Sequence, residues 1–220
     1  MTTGILPRAV AGITVALTLA ACSTAPQGAA GSSQAAPVGS DSSAIARARA
    51  DSARYPYTEA DVRFMSAMIG HHAQALQIAA WAPTHAASPA VRTLAERIIN
   101  GQQDEIVTMQ RWLRDREKPV PEPGRTGTKH SDHHGSSMPG MLSDVQLGQL
   151  EAARGAEFDR LFLTFMIQHH RGAVSMVREL FGTTGAARDE TVFKFANDVS
   201  VDQTTEVARM EKMLAALDSE

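Results

Sequence analysis

The sequence predicts an all-α protein, a four-helix bundle made of two duplicated αα-hairpins. Phe64–His72 (FMSAMIGHH) and Phe162–His170 (FLTFMIQHH) share one pattern that ends in a histidine pair. Gln102–Met109 and Gln203–Met210 repeat a second pattern, Gln-x-x-Glu-[Ile/Val]-x-x-Met. Two hairpins that each expose an apolar stripe bury it by packing together, and four helices result.

Helix start and stop residues set the expected boundaries. Thr58 followed by Asp61 resembles a capping box, and Ser88-Pro89 is typical of an N-cap followed by the first helical residue. Proline and glycine end the segments that these residues begin. We expect the main helices near residues 58–82, 88–116, 155–181 and 188–217.

The first residues are typical of a bacterial lipoprotein signal peptide. Arg8 precedes an apolar run of about a dozen residues, which is too short to span a bilayer as a mature helix. The run ends in Leu19-Ala20-Ala21-Cys22, which is similar to a lipobox. We therefore expect residues 1–21 to be removed and Cys22 to carry lipid, which would attach the protein to a membrane surface outside the cytoplasm. The sequence leaves open which membrane holds the lipid.

Composition divides the rest of the chain. Residues 22–54 are rich in Ala, Ser and Gly and are expected to form a flexible tether after the lipidated cysteine. Residues 55–218 are expected to form the helical domain, with a first hairpin at 55–117, a His- and Met-rich loop at 118–142 and a second hairpin at 143–218. The net charge of -3 indicates no basic surface for nucleic acid, and no feature identifies a protein partner.

Several polar side chains fall inside the apolar stripes. At 100° per residue, His72 and His170 lie at the centre of their stripes, and His71 and His169 lie at the edge. We therefore expect His72 and His170 to be more buried than His71 and His169. On the other two helices the stripe contains Gln102, Glu105, Gln203 and Glu206.

Burial of these groups requires a partner. A buried carboxylate or imidazole is costly unless it is paired, protonated or bound to a cation. We therefore expect Glu105 and Glu206 each to lie within reach of a motif histidine. A metal site and a self-satisfied hydrogen-bond network in a purely structural bundle both meet this requirement.

The donor types favour copper if a metal is bound. The candidate ligands are imidazole, thioether and carboxylate groups, since Cys22 is the only cysteine and is expected to be acylated. Histidine with methionine favours copper, while zinc and iron are further candidates. The candidate residues are His71, His72, His169, His170, Met68, Met166, Glu105 and Glu206, with His133, His134, Met138 and Met141 in the loop.

A ferritin-like redox enzyme is the alternative in a different functional class. Di-iron bundles of that type use Glu-x-x-His on two helices. Here the residues three positions before His71 and His169 are Met68 and Met166. The sequence therefore favours a protein that binds metal without turnover, and we assign no catalytic residue.

The combined motifs resemble the domain of unknown function 305 family. Met-Ile-x-His-His-x-x-Ala occurs twice, each copy is followed by the Gln-x-x-Glu pattern, and Met138–Leu142 (MPGML) lies between them. The resemblance covers about residues 57–217 and implies a ferritin-like four-helix bundle that is secreted or lipid-anchored. It also implies copper binding, as described for some periplasmic members, with motif positions at Met68, His71, His72, Met138, Met141, Met166, His169 and His170.

Overall fold

The computed structural model describes residues 42–54, 56–123 and 138–219, and the fold is all-α as predicted. Cys22 and the loop residues His130, His133 and His134 lie outside the described residues. No helix in the described ranges is long and apolar enough to cross a membrane. The helices are α1 (Ser42–Arg54), α2 (Glu59–Ala80), α3 (Ala82–His85), α4 (Pro89–Asp115), α5 (Asp144–Ala152), α6 (Gly155–Gly182) and α7 (Glu190–Leu217).

Helix α1 differs from the prediction, because residues 42–54 were assigned to the flexible tether. The segment SSAIARARADSAR is rich in Ala and Arg, which are strong helix formers. Ala48 is buried, α1 contacts α4, and the Arg49 guanidinium lies 2.6 Å from the Glu117 carboxylate. Helix propensity and this contact with the first hairpin therefore order a segment whose composition alone indicated a linker.

The N-terminal caps of α2 and α4 lie at the residues that the sequence predicted. Thr58 and Asp61 form the predicted capping box, in which the Thr58 N–H donates to Asp61 Oδ2 at 2.6 Å. Ser88 accepts from the backbone N–H of Ala90, and Pro89 is the first residue of α4. These contacts satisfy backbone N–H groups that have no partner inside a helix.

The bundle consists of two hairpins that meet along one pair of helices. Helix α2 packs on α4, α6 packs on α7, and α2 faces α6 between the hairpins. Apolar side chains from both hairpins form two core clusters, one that includes Leu94 and Phe162 and another that includes Phe64 and Trp112. Along both α2 and α6 the histidine pair lies between residues of one cluster and residues of the other.

Two buried aspartates tie the hairpins to each other. Asp61 Oδ1 accepts from the backbone N–H of Ala187, in the turn between α6 and α7, at 2.7 Å. Asp159 Oδ2 accepts from the backbone N–H of Ser88, just before α4, at 2.8 Å. Each carboxylate thus binds a turn of the opposite hairpin and holds α2 and α6 in register.

Candidate metal centre

Four histidines occupy the interface between the hairpins. Helix α2 supplies His71 and His72, helix α6 supplies His169 and His170, and all four side chains are fully buried. The ring centroids of His71 and His169 are 3.9 Å apart, with the planes tilted by 41°. Within each sequence pair the ring centroids are more than 6 Å apart, at 6.5 Å and 6.3 Å. His71 and His169 therefore form the contact across the bundle.

The predicted order of burial is wrong. His71 and His169 are as inaccessible as His72 and His170, although the helical wheel placed them at the edge of the apolar stripe. The helical-wheel prediction assumed that each helix buries one face, whereas α2 and α6 each bury two faces. One face packs on the partner helix of the same hairpin, and the other packs on the opposite hairpin.

His72 and His170 are bound to carboxylates, as predicted. His72 Nε2 lies 2.6 Å from Glu105 Oε2, and His170 Nε2 lies 2.8 Å from Glu206 Oε2. Each glutamate side chain is 23% exposed, so the carboxylates reach the surface while the imidazoles do not. A carboxylate that accepts from Nε2–H fixes the tautomer and leaves Nδ1 with a free lone pair.

Five ring nitrogens have no hydrogen-bond partner within the described part of the chain. They are the Nδ1 atoms of all four histidines and Nε2 of His169. His71 Nε2 donates to the backbone carbonyl of Pro139 at 3.0 Å. A buried polar atom without a partner costs free energy, so these nitrogens are available to a ligand.

Burial keeps His71 and His169 neutral. Desolvation is the largest cause that lowers the pKa of His71 from 6.5 to about 3, and the charge of neighbouring His72 contributes to the same shift. Burial likewise lowers the pKa of His169 well below its usual value, with His71 as the next cause. Neutral imidazole is the form that binds metal ions, so both side chains are in the ligand form at neutral pH.

The same pKa shifts predict acid sensitivity of the metal-free protein. Between pH 6.5 and about 3 the unfolded chain binds a proton at His71 that the folded chain does not, so the free energy of unfolding falls as the pH falls through this window. Urea denaturation at a series of pH values should show this slope, and a His71→Asn variant should show a shallower one. Equal slopes for both proteins would contradict the assigned cause.

The Met-Pro-Gly-Met segment at residues 138–141 contacts the histidine cluster through the Pro139 carbonyl, which accepts from His71 Nε2. A turn brings the Met141 N–H to the Met138 carbonyl at 3.2 Å, and Gly140 has a φ of 79°. The Gln74 side chain donates to the Leu142 carbonyl at 3.0 Å and accepts from the Leu142 N–H at 2.8 Å. The Gln74 contacts hold the segment against α2.

Glycine at position 172 allows this close approach. A Cβ added there would overlap the carbonyl of Pro139, and one added at Gly140 would lie 2.6 Å from the Gln168 carbonyl oxygen. Sequence reasoning did not identify Gln74, Pro139 or Gly172 as parts of the centre. The sequence signal that could have indicated this contact was Gly172, which lies two residues after the second histidine pair. A glycine there leaves room for a second segment, such as the turn sequence at residues 138–141.

The methionines occupy different positions around the histidines. Met68 and Met166 are fully buried, and they belong to different core clusters. Met138 and Met141 are partly buried, and Met138 lines a surface cavity of about 340 Å³ with Phe64. Among the described residues, no three His, Cys, Asp or Glu side chains converge closely enough to hold an ion as they stand.

Comparison with known proteins identifies the family. The pattern described as Domain of unknown function (DUF305) matches residues 61–214. The chain belongs to the DUF305 family. It matches no curated protein. The DUF305 match includes both histidine pairs and both glutamates that contact them.

Solved structures of DUF305 proteins share this fold. A DUF305 fragment from Deinococcus radiodurans is 31% identical, with a TM-score of 0.62, over 73% of this chain and 98% of that one. A DUF305 protein from Streptomyces coelicolor, described as secreted, is 26% identical, with a TM-score of 0.61, over 72% and 92% of the two chains.

A third similar protein has been solved with metal. CopM in its Cu(II)-bound form is 29% identical, with a TM-score of 0.57, over 71% of this chain and 96% of that one. Structures of CopM with Cu(I) and with Ag are also similar.

Proposed function

We propose that this DUF305 protein binds copper outside the cytoplasm and acts as a copper buffer or carrier without turnover. The observation that carries the proposal is the set of five ring nitrogens, on four fully buried histidines, that have no hydrogen-bond partner in the part of the chain that the structure describes. A purely structural network would pair these atoms, whereas a metal site leaves lone pairs free. The similarity to CopM, solved with Cu(I), Cu(II) and Ag, supports copper as the ion.

The surrounding groups fit an imidazole site of this kind. Glu105 and Glu206 accept from Nε2 of His72 and His170, and a carboxylate in this position orients a ligating histidine and increases its basicity. The Pro139 carbonyl has the equivalent position at His71. Three of the four imidazoles are thus held through Nε2, with Nδ1 as the donor to an ion.

Binding requires one local movement. His169 has neither ring nitrogen hydrogen-bonded within the described residues, and its ring lies against His71. Hydrogen bonds therefore fix the orientation of this ring less than that of the other three. We propose that His169 turns to complete the site with His71, and that Met68, Met166, Met138 and Met141 supply thioethers for the reduced ion.

The N-terminal sequence and a similar protein support the proposed cellular location. The Streptomyces protein is described as secreted, which supports an extracytoplasmic site of action. We propose that lipid on Cys22 anchors the protein to a membrane and that residues 23–41 separate the anchor from α1.

Copper titration tests the proposal at the histidines. Replacing His71, His72, His169 and His170 together with Ala should remove the core site, measured by competition with a calibrated chelator for Cu(I) and for Cu(II). Since this variant removes four buried side chains, the single variant His169→Asn provides a second test. It removes an imidazole whose ring nitrogens have no hydrogen-bond partner among the described residues, and it should weaken binding at least about tenfold.

Two control variants show whether a loss of copper binding comes from the core histidines. His85→Asn removes a histidine of α3 that lies outside the cluster of four histidines, where it contacts Glu151 and Phe158, and it should leave copper affinity unchanged. A second control replaces His130, His133 and His134, because these loop histidines are a separate candidate site. If the four-histidine variant folds by circular dichroism and keeps its copper stoichiometry and affinity, the core is a structural network and the proposal is wrong.

A further inference from the structure

Two exposed phenylalanines lie together where α6 ends and α7 begins. The ring centroids of Phe181 and Phe193 are 5.8 Å apart, and the two residues are 43% and 56% exposed. Residues 182–187, which follow Phe181, are Gly-Thr-Thr-Gly-Ala-Ala and carry no charge. Single exposed apolar side chains are ordinary, whereas an aromatic pair beside an uncharged turn forms a continuous apolar surface that suits contact with another molecule.

The groove next to this aromatic pair is basic. An open groove of about 350 Å³ between α6 and α7 is lined by Arg171, Val174, Arg178, Thr204 and Val207. Arg171 pairs with Glu211. Arg178 is exposed, lies one helical turn before Phe181 on the same side of α6, and has no ion-pair partner among the described residues. The groove and the aromatic pair, together the α6–α7 face, therefore combine apolar rings with a net positive charge on a chain whose net charge is -3.

The acidic side chains nearest in sequence lie on neighbouring faces. Glu179 lines the cavity that includes Arg63 and Phe64, on the α2 side of α6. Glu190 lines an open cleft between α4 and α7 together with Asp104. These carboxylates therefore leave the α6–α7 face apolar and basic.

The turn between α6 and α7 lies at the end of the bundle where the chain enters it. Helix α1 precedes α2, and Arg49 of α1 contacts Glu117, which follows α4. The Ala187 N–H, in the turn between α6 and α7, donates to Asp61 in the first turn of α2. The start of α2, the end of α4 and this turn therefore share one end of the bundle, and the N-terminal part of the chain joins the domain there through α1.

We propose that the α6–α7 face docks on the surface of a phospholipid membrane, the one to which lipid on Cys22 would attach the chain. The inference rests on the proposed lipid anchor and is independent of copper binding. Aromatic rings and basic side chains are the groups that suit the membrane interface, where the rings meet the acyl boundary and the guanidinium meets anionic headgroups. Because the anchor keeps the domain close to the membrane, a weak contact is enough to decide which face meets the lipid.

Tryptophan fluorescence of the mature full-length protein, held in vesicles by lipid on Cys22, tests the proposal. The probe is Phe193→Trp in vesicles of phosphatidylcholine and phosphatidylglycerol with brominated acyl chains, since bromine quenches a tryptophan that it contacts. We expect a blue shift and quenching relative to the unchanged protein, whose Trp81 and Trp112 give the background. Val107→Trp is the matched control, because Val107 is 48% exposed on α4 of the other hairpin and should show neither change.

A charge variant tests the arginine of the same face. Adding Arg178→Gln to Phe193→Trp should reduce quenching in vesicles that contain phosphatidylglycerol and should change little in pure phosphatidylcholine. Arg178 is exposed, so circular dichroism should show an unchanged fold. Equal quenching with and without Arg178→Gln in the anionic vesicles would contradict a docked face that includes this residue.

The outcomes separate docking from the anchor and from copper binding. With lipid on Cys22 confirmed by mass spectrometry, absence of quenching in Phe193→Trp, or quenching equal to that of Val107→Trp, would overturn the docking alone. A blue shift without quenching that grows with protein concentration would show that a second copy covers the face, and would also overturn it. A mature protein without lipid on Cys22 would overturn the anchor and this inference together, while copper titration would stand unaffected.

Discussion

Replacing Asp189 with Ala is expected to lower the free energy of unfolding by about 3–5 kcal/mol, because it breaks a buried ion pair. Asp189 is 2% exposed, and its Oδ2 lies 2.5 Å from the Arg116 guanidinium. Its Oδ1 accepts from Trp112 Nε1 at 3.0 Å and from the Val192 N–H, which caps α7, at 3.1 Å. The Ala variant leaves a charged guanidinium and an indole N–H without their acceptor at the junction of the two hairpins. Urea denaturation followed by circular dichroism measures the loss.

An exposed pair on the same helix provides the control. Lys194 and Asp198 also form an ion pair, but their side chains are 75% and 48% exposed. Asp198→Ala should therefore cost less than about 1 kcal/mol. Combining Arg116→Met with Asp189→Asn removes both charges and keeps an acceptor for Trp112, so it should be less destabilising than Asp189→Ala. A loss for Asp189→Ala as small as that for Asp198→Ala would show that the buried pair does not stabilise the junction.

The features that the sequence predicted correctly depend on short-range patterns. Capping boxes and prolines act within a few residues of the chain, so the boundaries of α2, α4, α6 and α7 could be placed closely. The pairing of Glu105 with a motif histidine also followed from the sequence, because both residue types lie inside apolar stripes, but the choice of His72 came only from the structure. A buried carboxylate needs a partner, and the nearest candidate was a histidine on the facing helix.

The features that were missed depend on contacts between distant segments. The contact between the rings of His71 and His169 depends on how α2 packs against α6, which helical periodicity within one segment does not specify. Gln74 contacts a backbone 68 residues away, and no local pattern marks that partner. The lipid on Cys22 and the loop histidines His133 and His134 lie outside the described residues and stay predictions.

The second large effect is expected for Gly172→Ala. The new Cβ would overlap the backbone carbonyl of Pro139, a rigid group that cannot move without displacing the turn at residues 138–142. Displacing the turn also breaks the His71 Nε2 hydrogen bond to Pro139 and strains the Gln74 contacts with Leu142. Overpacking a well-ordered contact costs about 1–3 kcal/mol, and we expect a loss at the top of this range in the free energy of unfolding.

Gly148→Ala is the matched control for this prediction. Gly148 lies in α5, and a Cβ there would meet no atom within 4 Å, so the substitution should stabilise the helix by up to about 1 kcal/mol. The two variants make the same chemical change with opposite expected signs in urea denaturation. Copper titration of Gly172→Ala adds a functional measurement, because the displaced turn carries Met138 and Met141. A Gly172→Ala protein as stable as the unchanged chain would show that the turn is not held against α6 at this position.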